Sequence, residues 1–210
     1  MPTRAVDAAR WLEFAVAGRA LPGEATSGDR EVVRAFPGGV LIAAVDGLGH
    51  GAEAAEAARR ACMALERHPA RSVSELIQRC HTELVSTRGV TMSVASLDVR
   101  EGTLSWVGVG NVEGILWHAD GAGRVVRSGL VTRGGVVGAQ LPPLKAAVVP
   151  VARGDTLVFA TDGIGREFAE NLSLDAAPQE LANRILAQYG RATDDALVVV
   201  ARFLNNVAGV

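Results

Sequence analysis

Val45-Asp46-Gly47-Leu48-Gly49-His50-Gly51 joins a short apolar run, Val40 to Val45, to an alanine-rich stretch that begins at Ala52. The run has the length and composition of a strand buried on both faces, and the stretch after it reads as a helix. Asp46 is therefore expected at the end of a rigid strand, its carboxylate held yet able to face a ligand. The glycines let the main chain approach an ion closely, and a carboxylate beside an exposed carbonyl is the oxygen environment that magnesium or manganese prefers. A strand-to-helix turn in which Asp46 caps the helix explains the same residues equally well. Only the rest of the chain separates these readings.

On the N-terminal side, Trp11 to Leu21 and Glu31 to Phe36 read as strands, and with Val40 to Val45 they predict an opening antiparallel meander. Asp29, in Ser27-Gly28-Asp29, is placed in the loop before the second of these, as a distant helper of the site. On the C-terminal side, a helix from Ala52 to about Arg67 is almost without bulk and is ended by His68-Pro69. Ser72-Val73-Ser74-Glu75 has the form of a capping box and opens a second helix, predicted to pair with the first against one sheet face. Strands follow over Val90 to Asp98, Thr103 to Val109, Gly114 to His118 and Arg124 to Ser128, the last two around an Asp120-Gly121 turn. A glycine-rich loop from Thr132 leads to strands over Ala146 to Val151 and Asp155 to Thr161. Pro178 to Tyr189 is a helix with Pro178 near its start and Gly190 past its end, and Ala196 to Phe203 is a last core strand. Strands in runs and helices in pairs argue for an antiparallel α+β fold.

The chain has 210 residues, 49% of them hydrophobic, which suffices for one generous core in a single domain spanning 1–210. A net charge of −2 without a basic run or stripe argues against a nucleic-acid partner. Met1 to Asp7 lacks the apolar run of a secretory signal and no stretch is long enough to span a membrane, so a cytoplasmic protein is expected. A monomer is expected. Cys62 and Cys80 fall on predicted helices without metal or redox spacing and read as buried thiols.

The opening turn has company. Thr161-Asp162-Gly163-Ile164-Gly165 again sets a carboxylate and a glycine at a strand end, and Ala192-Thr193-Asp194-Asp195 puts two carboxylates before the final strand. Gathered like charges repel and raise one another's pKa, so a protein that brings them together normally supplies a cation. Oxygen-only ligands favour Mg²⁺ or Mn²⁺ over zinc. Two such ions sharing a carboxylate can deprotonate a water and stabilise its in-line attack on a phosphoryl group.

Asp46-Gly47 before a helix, Thr161-Asp162-Gly163 and Asp194-Asp195 before the last strand resemble the type 2C metal-dependent serine/threonine protein phosphatases. Ser27-Gly28-Asp29, the full Asp46 to Gly51 turn and Gly110-Asn111-Val112-Glu113 look most like the SpoIIE-like bacterial branch and its stressosome phosphatases. The likeness spans about Gly28 to Val200. It implies a four-layer sandwich, two stacked antiparallel sheets flanked by pairs of helices. It also implies a dinuclear Mn²⁺ or Mg²⁺ centre in which Asp46 bridges both ions, Gly47 offers its carbonyl, and Asp162 and Asp194 bind one ion each or share one. Asp194 matches the metal-binding member of the family's acidic pair, with Asp195 second. Asp46, Asp162 and Asp194 would carry catalysis, and Asp29, His50 and Asn111 would stand around them. The implied partners are stressosome scaffold proteins phosphorylated on serine or threonine, whose dephosphorylation would reset a stress signal.

The chain departs from the pattern in places. Leu197 replaces a threonine common in relatives, and the arginine that grips substrate phosphate in the eukaryotic enzymes has no match. His50 is spaced differently from the eukaryotic histidine and reads as a solvent-facing residue at a helix start. Asn111 also reads simply as a turn residue. No Walker sequence, dinucleotide loop or nucleophile elbow is present. Two other functions are alternatives: a catalytically weak module that binds phosphoproteins, against which the intact acidic positions count, and a metal-dependent hydrolase of small phosphate esters.

Overall fold

Alternation inside the apolar runs builds the layers. The computed structural model describes residues 8–119 and 125–204. In β3 (Gly39–Gly47), Leu41, Ala43 and Val45 pack into one hydrophobic cluster, whereas Val40, Ile42 and Ala44 pack into another. Successive side chains of a strand point to opposite faces, so this strand is covered on both. The first cluster lies under α1 (Gly51–Arg67) and α2 (Val73–Leu84); the second lies between two sheets. A third cluster joins β11 (Ala196–Phe203), through Ala196, Val198 and Val200, to Leu181, Ala182 and Ile185 of α4 (Pro178–Tyr189). Burying each large aliphatic side chain contributes roughly 2 kcal/mol. A one-residue slip of β3 would also turn Asp46 from the inter-sheet face into the helical layer.

The two sheets draw their strands from distant parts of the chain. One sheet is ordered β1 (Leu12–Arg19), β11, β10 (Thr156–Ala160), β6 (Glu113–Ala119), β7 (Val125–Leu130), all antiparallel. The other is ordered β2 (Asp29–Phe36), β3, β4 (Val90–Asp98), β5 (Thr103–Val109), β8 (Thr132–Arg133), with β9 (Ala147–Pro150) also on β5. The short β8 joins in parallel, the exception in an otherwise antiparallel pair of sheets. The α+β sandwich is thus as expected. Its flanks are unequal: α1 and α2 pair on one side, whereas on the other, among the described residues, α4 is accompanied by the single turn of α3 (Phe168–Asn171).

Several elements differ from the sequence reading. The opening strands do not form a meander, because β1 pairs with β11 and only β2 and β3 form a hairpin. Pro22-Gly23 looks like a hairpin turn, yet the segment through Gly28 is long enough to cross from one sheet to the other. β2 begins at Asp29, which is therefore a strand residue rather than a loop residue. The Asp120-Gly121 turn and Arg124 lie outside the described residues. The helix caps are partly as predicted: Ser72 accepts the N–H of Glu75 at 3.3 Å. The N-cap of α1 is His50, without a side-chain cap bond, so Asp46 does not cap that helix.

Trp106 and Trp117 are core residues. Both cysteines are free, and burial pushes the Cys62 and Cys80 thiols up to about 12, which leaves neither a nucleophile near neutral pH. No helix among the described residues is long and apolar enough to cross a membrane.

Candidate metal centre

All the acidic strand ends lie at one end of the sandwich. Register explains half of the arrangement: Asp29 stands opposite Asp46 in the β2–β3 pair, and Asp46 stands opposite Thr91 in the β3–β4 pair. Directly paired residues share a face, so Asp29, Asp46 and Thr91 form a row across one sheet. The row faces the other sheet, because Asp46 has the parity of Ile42 and Ala44. From that second sheet come Thr161 and Asp162, just past β10, and Asp194 and Asp195, just before β11.

Hydrogen bonds stitch the two sides together. Thr161 Oγ1 donates to Asp29 Oδ2 at 2.7 Å and accepts the N–H of Leu197 at 2.9 Å. Asn111, in the connection that carries the chain from β5 to β6, donates its amide to Asp162 Oδ2 at 2.6 Å. Thr91 Oγ1 contacts Asn111 Oδ1 and lies 3.4 Å from Asp46 Oδ2. Asn111 therefore links the carboxylate of one sheet to the row of the other.

The adjacent aspartates are used differently. Both oxygens of Asp195 are taken by main-chain donors, the N–H of Gly28 at 2.7 Å and that of Leu21 at 2.8 Å, and the residue is buried. Asp194 is partly exposed; its Oδ1 accepts the N–H of Asp195. His50 is exposed and sits 2.6 Å from Glu24. It is among the charges that act on Asp194.

Backbone contact holds the turn under α1. A Cβ on Gly47 would lie 2.2 Å from the carbonyl oxygen of Ala54, and one on Gly163 would lie 1.9 Å from that of Asp195. Glycine at both places is required by close approach. Gly110, at φ +92, allows the turn that delivers Asn111.

The electrostatics concentrate negative charge at this end of the sandwich. Burial, then the charges of Asp162 and Asp194, pushes the Asp46 carboxyl up to about 7. Burial, then the charge of Asp46, pushes Asp29 up to about 8, against the opposing hydrogen bond from Thr161. Burial is also the largest cause of the upward shift at Asp194. Among the described residues no arginine or lysine forms an ion pair with Asp29, Asp46, Asp162 or Asp194.

Among the described residues no three carboxylate, imidazole or thiol groups close into a ready-made metal cage. A strongly hydrated ion needs none: magnesium keeps several waters and is commonly held by one or two carboxylates. The all-oxygen set of Asp46, Asp162 and Asp194 suits such an ion. Thr91, Thr161 and Gly28 are the participants that the sequence leaves without a role. Thr91 pairs with Asp46 across two intervening helices, so no local spacing could reveal it.

The sequence and fold are shared with known proteins. Phosphoserine phosphatase RsbX of Bacillus subtilis (strain 168) is 22% identical over 181 residues, which cover 86% of this chain and 89% of that protein. A crystal structure of RsbX in complex with magnesium superposes with a TM-score of 0.80 at 22% identity, over 92% of this chain and 96% of that one. A chain from a structure described as "The bacterial stressosome: a modular system that has been adapted to control secondary messenger signaling" superposes with a TM-score of 0.81. It is 31% identical, over 91% of this chain and 99% of that one. The family model described as Stage II sporulation protein E (SpoIIE) matches residues 37–204, from the turn before β3 to the end of the last strand, and the chain accordingly belongs to that family.

Proposed function

We propose that the chain is a metal-dependent phosphatase that removes phosphate from phosphoserine or phosphothreonine in stressosome scaffold proteins. One observation carries the reading: Asp46 from one sheet and Asp162 and Asp194 from the other meet at a sandwich end, and among the described residues no arginine or lysine forms an ion pair with them. The magnesium bound by RsbX and the stressosome setting of the 31% identical chain support the same conclusion.

In this reading Asp46, Asp162 and Asp194 hold two divalent ions, Mn²⁺ or Mg²⁺, with the carbonyl of Gly47 beside them. Asp46, which is acted on by the charges of both Asp162 and Asp194, would be the ligand shared between the two ions. Such ions, when bound, acidify a water and offset charge on the phosphoryl group. Asn111 fixes the orientation of Asp162, and Thr91 steadies both Asn111 and Asp46. Asp29 stands beside Asp46 as a protonatable group anchored by Thr161. Asp195 serves as a brace for the Leu21 to Gly28 segment, each of its oxygens accepting a main-chain N–H, and Asp194 is the member of the pair turned to the ions. No protein nucleophile is needed.

The test is phosphate release from a phosphoserine protein and from p-nitrophenyl phosphate, with Mn²⁺ and with EDTA, for wild type and Asp46→Asn. Mn²⁺-dependent turnover that favours the phosphoprotein and is lost in Asp46→Asn supports the proposal. Equal efficiency on both substrates would instead make the chain a small-ester hydrolase. Absence of release, with the phosphoprotein still bound, would make it a binding module.

A further inference from the structure

Beyond the acidic centre, the structure carries a groove at the open side of the sandwich, where the last strands of both sheets run out. β7 ends one sheet, and β8 and β9 end the other on the same side. Between them lies an open cavity of about 280 Å³ floored by Trp106, Leu130 and Val149, with Val131, Arg133 and Lys145 at its rim. None of its lining residues is acidic. Val131 is 79% exposed, and Val148 of β9 is 62% exposed. Lys145 is the single lysine of the chain. Neither it nor Arg133 forms an ion pair among the described residues, whereas Arg59, Arg60, Arg67, Arg71 and Arg79 are all paired with glutamates.

We infer that this groove seats an extended acidic segment of the phosphoprotein substrate, its apolar side chains on Leu130, Val131 and Val149 and its carboxylates on Arg133 and Lys145. The inference rests on the phosphatase reading and deepens it. Three features favour that occupant. Unpaired edge strands accept an extended chain, which presents alternate side chains to a groove. Two cations that form no ion pair among the described residues, in a groove whose lining is without carboxylates, complement a negative segment. The groove also leads to the centre: the carbonyl of Arg133 accepts the N–H of Gly110 at 2.8 Å, and the next residue, Asn111, holds Asp162. A segment lying on Arg133 thus places the residues beyond it at the carboxylates. This supplies substrate selection to a chain in which the family's phosphate-gripping arginine has no match.

The experiment compares wild type, Arg133→Glu/Lys145→Glu and the exposed control Arg100→Glu/Arg153→Glu, which makes the same change in net charge. Each is assayed with Mn²⁺ on two phosphoserine peptides, one flanked by glutamate and leucine and one flanked by neutral residues, and on p-nitrophenyl phosphate. Binding of a fluorescein-labelled, unphosphorylated glutamate-leucine peptide is measured separately by anisotropy. The groove variant is expected to raise KM for the acidic peptide about tenfold, with kcat and p-nitrophenyl phosphate turnover unchanged, and to weaken the labelled peptide to a similar degree. Equal KM for the two peptides in wild type, or an equal loss in the control variant, would overturn the groove. If no substrate is hydrolysed but only the groove variant loses the labelled peptide, the docking surface stands and the phosphatase reading falls.

Discussion

Asp195 and Gly28 are 167 residues apart in sequence and joined by a 2.7 Å hydrogen bond, which ties the start of the last strand to the segment that crosses between sheets. Asp194, its neighbour, makes no such long-range bond among the described residues and stays partly exposed. Substitution should separate the two. Asp195→Ala leaves two main-chain donors unpaired and is expected to cost about 2–4 kcal/mol in urea unfolding. Asp194→Asn is expected to leave the metal-free unfolding midpoint nearly unchanged while lowering Mn²⁺-dependent turnover at least about tenfold. Equal stability losses would show that the pair is not divided in this way.

Asp29 and Asp46 make the metal-free protein sensitive to pH. Their folded-state values, about 8 and about 7, both lie above the ordinary 3.8, so the folded chain holds protons that the unfolded chain has released. The stability they contribute is complete below about pH 4 and is lost as pH rises through about 7 and then about 8. In EDTA, Tm from calorimetry should fall by several degrees between about pH 5 and about pH 8.5, and Asp46→Asn should flatten that slope. Added Mn²⁺ should restore more stability at the higher pH, where the carboxylates are charged. A Tm that climbs over this interval without metal would contradict the assignment.

Gly47→Ala tests the contact between β3 and α1. The added Cβ would fall 2.2 Å from the backbone oxygen of Ala54, which no side-chain rotation relieves. A destabilisation of at least about 2 kcal/mol is expected, together with weaker Mn²⁺ binding by isothermal calorimetry as the turn is displaced. Gly129→Ala, where the added atom would meet nothing within 4 Å, is the matched control.

Thr161→Val keeps shape and removes the hydroxyl. That hydroxyl donates to Asp29 and receives the N–H of Leu197, so its loss leaves a buried carboxyl and a buried N–H without partners. About 1–3 kcal/mol of stability should go, whereas Thr161→Ser should retain most of it. A valine variant as stable as the serine variant would remove Thr161 from the bracing of the site.

The elements and the acidic motifs were legible in the sequence because both are local. Val40 to Val45 reads as a doubly buried strand from composition alone, and the ordered Asp46, Asp162 and Asp194 motifs carry the family. What the sequence by itself determined was therefore the α+β class and the strand ends that bear carboxylates. The tertiary structure decided everything that depends on pairing between distant segments. It moved the first strand into the sheet of the last, set Asp29 and Thr91 on either side of Asp46, and turned Asp195 inward as a brace while leaving Asp194 partly exposed. Pairing of this kind is fixed by which faces bury together across the whole chain, and local spacing holds no record of it.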